Sequence, residues 1–112
     1  MLMGPGPHRP VRELEGAIRR GDLAMASAIA RDLAHARGRP IGLDLALELL
    51  PLVAAHDLSA YDTWACRWLA RWLTETSGAT IDRAAELAGA LAHLPAEPAP
   101  ALAALRLGRR LR

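Results

Sequence analysis

Chain breakers fall at Gly21-Asp22, Gly38 to Pro40, Asp57, Gly78 and the stretch from Pro95 to Pro100, and between them apolar residues return at helical spacing. No convincing segment alternates apolar with polar residues as a half-buried strand does. Short helices joined by short turns fold back on one another to bury their apolar sides. The expected fold class is therefore all-α, with five or six helices as successive antiparallel hairpins in a compact bundle or a short α-solenoid.

The first helix, Val11 to Arg20, follows Pro10 and carries Leu14, Ala17 and Ile18 on one side. Asp22 is placed to cap a second, Leu23 to Arg37, with Leu23, Ala26, Ile29, Ala30 and Leu33 on one side and Gly38 to end it. The third, Leu43 to His56, is apolar around most of its circumference, and its narrow polar stripe runs through Asp44, Glu48, Pro51 and Ala55. Its proline thus faces water, where the Leu47 carbonyl left without a partner can be hydrated. This helix is expected at the centre of the core. A fourth runs from an N-cap at Ser59 to Thr76 and a fifth, capped by Thr80, turns Ile81, Ala84, Ala85, Ala88, Leu91 and Ala92 inward. Pro95 to Pro100 reads as a rigid connector to a last helix, Ala101 to Leu111. Residues 1–10 are expected to form a disordered arm and 11–112 one helical domain.

Gly21-Asp22-Leu23 followed by Ala26 joins a tight turn to a small packing residue, and in this the first hairpin resembles the tetratricopeptide-like helical repeats. The similarity is confined to that hairpin, because Leu14 and Ala17 stand where the family has its aromatic and glycine positions. It implies helical-hairpin geometry and a peptide- or protein-binding scaffold.

Composition narrows the function. The chain has 14 basic and 12 acidic residues, a net charge of only +2, whereas dedicated nucleic-acid binders concentrate a larger excess on one face. All the basic residues are arginine and Lys, Asn, Gln and Phe are absent; since Lys, Asn and Phe have AT-rich codons, a GC-rich bacterial source is expected. A lone cysteine, Cys66, excludes an internal disulfide framework and fits a reducing, cytoplasmic setting. Met1 to Pro10 holds three prolines and two glycines where an export signal needs a long apolar core. No apolar run reaches the ~20 residues of a membrane span, so no membrane association is expected.

Catalytic and metal chemistry find no constellation. His8, His35, His56 and His93 stand on separate segments, and one cysteine cannot build a zinc site of the usual kind. Without a strand there is no place for a phosphate-binding glycine loop. Asp44 and Glu48 share a helix face, but the Glu-x-x-His pairs of carboxylate-bridged metal sites are missing, so they read as a solvated face. The expectation is a non-enzymatic chain with no catalytic residue, metal or cofactor.

Two surfaces then stand out for a partner. Trp64, Trp68 and Trp72 recur at successive i+4 spacings beside Arg67 and Arg71, an arrangement that serves a core or, where exposed, an interface anchor. Trp68, the middle member, is expected to be the most buried and Trp64 the nearest to water. Arg106, Arg109, Arg110 and Arg112 form a basic patch at the C-terminus. The function expected is a small protein-interaction or adaptor module with a protein partner, or a second copy of itself. The alternative is a nucleic-acid-binding accessory that uses its arginine clusters.

Overall fold

The computed structural model describes residues 9–110. Among them, six helices follow one another without a strand: α1 (Arg9–Arg19), α2 (Leu23–Arg37), α3 (Leu43–His56), α4 (Leu58–Glu75), α5 (Ile81–His93) and α6 (Pro98–Gly108). The most extensive packing is between sequence neighbours, in the hairpins α1–α2, α3–α4 and α5–α6. These are the successive hairpins that the breaker pattern predicts. The assembly measures 52 × 31 × 20 Å, an elongated shape that one spherical core does not fill.

Two apolar clusters occupy it instead, and α3 is common to both. Leu43, Leu47, Leu50 and Val53 enter the larger, with Tyr61, Trp68 and Trp72 of α4, Leu87 and Leu91 of α5 and Leu105 of α6. Leu49 enters the smaller, with Leu14 and Ala17 of α1, Ala26 and Leu33 of α2 and Ile41. A helix clad on two sides needs apolar residues on two sides, which accounts for its sequence. The stripe of Asp44, Glu48, Pro51 and Ala55 keeps partial or full access to water, as do Leu45, Ala46, Ala54 and the terminal His56, and α3 continues through Pro51.

Turn chemistry sets the hairpins. Gly21 has φ +71° and Gly38 φ +68°, the left-handed region that glycine enters without a Cβ penalty. Each ends its helix with paired bonds to the last carbonyls, from Gly21 N–H to Ile18 and Asp22 N–H to Ala17, and from Gly38 N–H to His35 and Arg39 N–H to Ala34. Asp22 then caps α2 by accepting from Met25 N–H at 3.0 Å, and Thr80 caps α5 by accepting from Arg83 N–H at 3.2 Å.

Four expectations need correction. Prolines start helices here rather than only separating them: α1 already contains Arg9 and Pro10, and α6 begins at Pro98 inside the supposed connector. A proline in the first turn removes an N–H that had no helical acceptor anyway. The cap of α4 is Asp57, not Ser59, whose hydroxyl instead donates to the Asp57 carboxylate at 2.8 Å. On α5 the expected Leu91 and Ala84 do face the core, joined by Leu87, but Ala85, Ala88 and Ala92 are exposed and Ile81 is 87 % exposed. With alanine all around that helix, only its leucines mark the buried side. The expected disordered arm falls mostly on residues 1–8, outside the described residues.

Candidate functional site

The tryptophan stripe divides into core and surface along its length. Trp72 is fully buried and Trp68 is 3 % exposed, so the deepest member is Trp72 rather than Trp68. Each indole N–H is satisfied internally, from Trp68 to the Leu43 carbonyl at 3.0 Å and from Trp72 to the Arg109 carbonyl at 2.9 Å. Rings buried and bonded in this way hold α4 to its neighbours and present no open face to a partner. Trp72 is thus out of a partner's reach, and Trp68 lines the groove with little of its surface exposed. Trp64 differs. It is part-buried, touches both apolar clusters, and its indole N–H has no hydrogen bond among the described residues.

Around Trp64 lies an open groove of about 490 Å³ between α2 and α4. It lies where both helices pack on α3 while their own backbones stay apart. Small residues keep it deep: Ser27, Ala30 and Ala34 form the α2 wall, and Ala46 lies on the floor with Ile41 and Trp68. Trp64, Arg67 and Arg71 form the opposite wall, and Arg31 stands on the α2 side. No carboxylate lines it.

The three arginines are not equivalent. Arg71 donates to both Glu75 carboxylate oxygens, at 2.9 and 3.5 Å, and to the Ile41 carbonyl at 2.8 Å, so it braces the loop before α3. Arg31 and Arg67 are exposed, and among the described residues neither makes a hydrogen bond or an ion pair. Sequence reading places Trp64, Arg67 and Arg71 together, as the structure does. It misses the α2 wall, because only the splay of α2 from α4 brings Arg31 and Ala34 opposite Trp64.

At the other expected surface, two of the four arginines of the basic patch are neutralised within the chain. Arg106 donates to both oxygens of Glu48 at 2.7–2.9 Å, and Arg109 pairs with Asp44 at 2.8 Å. The acidic pair on α3, read as a solvated face, is therefore the counter-charge for α6 and its C-cap. Arg110 is exposed, and Arg112 lies outside the described residues. A second cleft, of about 470 Å³, has Glu15, Asp44 and Glu48 facing Arg19, Arg106 and Arg110, a balanced charge set that favours no ligand sign.

Cys66 and Tyr61 line a smaller hollow of about 210 Å³ between α4 and α5. The Tyr61 hydroxyl is occupied, donating to the Leu91 carbonyl at 2.6 Å. Burial, with a smaller contribution from the neighbouring Asp62 charge, pushes its pKa up to about 12. Among the described residues no three His, Cys, Asp or Glu side chains gather as metal ligands, and no helix is long and apolar enough to cross a membrane. His35, His56 and His93 each sit in the last turn of a separate helix. No family model, curated protein or solved structure matches the chain.

Proposed function

We propose that this chain is a non-enzymatic protein-interaction module that docks a segment of a partner protein in the groove between α2 and α4. One observation carries the reading: Trp64 is the part-buried aromatic at the wall of an open, mostly apolar groove, with its N–H unpaired. Aromatic side chains set in a depression and rimmed by arginine are the composition of interface hot spots. A helix laid over the N-terminal half of α3 would have α2 and α4 as side walls, the helix-in-groove mode of recognition. The resemblance of the first hairpin to tetratricopeptide-like repeats supports the same class of function. Support for the nucleic-acid alternative is weaker, since Arg106 and Arg109 are already paired with Glu48 and Asp44.

The test is a display selection of helical peptides on the intact chain, followed by amide and indole resonance mapping. Selected peptides are expected to shift Trp64 Nε1–H, Ala30 and Ala34. Enrichment of no peptide, or shifts confined to the cleft lined by Glu15 and Arg110, would overturn the assignment.

A further inference from the structure

We infer that the segment held in the α2–α4 groove is acidic, an amphipathic helix with apolar anchors flanked by Asp or Glu, and that Glu75 is its internal competitor. This rests on the groove being the docking site. Its physical basis is the one-signed charge of this groove, whose lining holds three arginines and no carboxylate. Elsewhere the arginines of α5, α6 and its C-cap meet carboxylates: Arg83 with Glu86, Arg106 with Glu48, Arg109 with Asp44. Here Arg31 and Arg67 face an apolar trough with no acidic residue in its lining. A ligand that displaces water from Trp64 and Ala34 brings its flanking groups into a lower dielectric beside these guanidinium groups. Carboxylates are favoured there, and cationic groups are repelled.

Arg71 supplies the second element. Its guanidinium is held by the Ile41 carbonyl and by Glu75, whose side chain is 46 % exposed and lies on the same helix four residues later. A ligand carboxylate that reaches Arg71 competes with Glu75 for a group already aimed by the Ile41 bond. Removing the Glu75 charge leaves that bond in place and frees the guanidinium. Substitution of a residue outside the lining therefore raises affinity, an effect that a merely structural ion pair does not produce.

A phosphodiester would satisfy the arginines equally well, but not the trough. The groove wall and floor are Ala30, Ala34, Ile41, Ala46 and indole rings, and single-stranded nucleic acid gains most from aromatic faces left open for stacking. Trp68 is 3 % exposed and Trp64 part-buried, which favours side chains inserted edgewise between helices.

Three matched peptide libraries discriminate the cases, each with Leu, Met or Phe at helical anchor positions and with Glu, Gln or Lys at all the others. Titrations use the intact chain, with Trp64 Nε1–H as the reporter and an oligothymidylate as a competing probe. The Glu library is expected to bind about tenfold tighter than the Gln library, with the difference fading as salt rises, and the Lys library weakest. Arg67→Glu, an exposed change whose fold is checked by circular dichroism, should cost the Glu library about tenfold and the Gln library much less. Glu75→Gln should tighten the Glu library by about threefold and leave the Gln library unchanged. Equal or tighter binding of the Gln library at the groove overturns the acidic preference but keeps the docking site. Failure of all three libraries overturns both. Binding of the oligonucleotide with no peptide binding makes the occupant a nucleic acid and overturns the inference.

Discussion

The indole N–H of Trp72 meets the backbone carbonyl of Arg109 at 2.9 Å, tying the buried end of α4 to the C-cap of α6 across 37 positions of sequence. The same Arg109 turns its guanidinium to Asp44 on α3, so one residue joins α4 through its backbone and α3 through its side chain. The backbone bond survives substitution at position 109, whereas removal of the indole at position 72 does not spare it.

Trp72→Ala should therefore cost ~3 to 5 kcal/mol, a large share of the ~5 to 15 kcal/mol that holds a domain of this size. Trp72→Phe keeps most of the volume but strands the Arg109 carbonyl, and should cost ~1 to 3 kcal/mol. Trp64→Ala should cost clearly less than Trp72→Ala. Urea unfolding followed by circular dichroism ranks the three, and a Trp64 loss equal to that of Trp72 would contradict its placement at the surface.

Arg109→Ala combined with Arg110→Ala should leave the fold intact and lower stability by no more than ~1 kcal/mol, since Asp44 is 75 % exposed and half-solvated pairs contribute little. A double-mutant cycle between Arg106 and Glu48 should return ~0.2 to 1 kcal/mol and shrink in high salt, given side-chain exposures of 54 % and 31 %. Loss of folding in the double arginine variant would make the guanidinium a structural element.

Tyr61 is the only tyrosine, so its titration can be followed without overlap. In the fold its pKa is raised from 10.0 to about 12. The neutral phenol favours the folded state, so this stabilisation is complete below pH 10 and is lost as pH climbs through 10 to about 12. The total loss is on the order of 3 kcal/mol. Tyr61→Phe should remove that slope and cost ~1 kcal/mol near neutrality, the Leu91 carbonyl keeping its bond from Leu94 N–H. Tyrosinate absorbance rising near pH 10 in the folded chain would refute the buried hydrogen bond.

Two glycine substitutions should have opposite signs. Gly21 has φ +71°, and Gly21→Ala should destabilise by ~1 to 2 kcal/mol through left-handed strain. Gly89 lies within α5 with open space around the missing Cβ, so Gly89→Ala should stabilise by ~0.4 to 1 kcal/mol. Thermal melts of the pair give the comparison directly.

Local chemistry was readable residue by residue in the chain: Asp22 and Thr80 cap as their side chains allow, Gly21 and Gly38 stop helices as only a residue without Cβ does readily, and α3 is central as its apolar girth requires. Proline was ambiguous, because the same ring that ends a helix fits its first turn, and Pro10 and Pro98 take the second role. Alanine hid the face of α5, since a methyl group is tolerated on either side of a helix and only Leu87 and Leu91 break the tie. The Trp64, Arg67 and Arg71 side of the groove follows from helical spacing on one element. Its other side does not: the distance between α2 and α4 depends on how both rest on α3. Likewise, nothing local joins Glu48 to Arg106 across 58 positions.

Because α3 serves both clusters, the hairpin of α1 and α2 covers one of its sides while the larger cluster covers another. Detachment of that hairpin uncovers Leu49 and loosens Trp64 and Leu23 but keeps the buried contacts of α4, α5 and α6 with α3, so its amides are expected to exchange with solvent through a partial opening cheaper than global unfolding. The fraction of molecules with α2 in place sets how many are competent to bind between α2 and α4. A ligand there lowers the population of the opened form, and α1, which does not line the groove, gains protection from exchange along with α2.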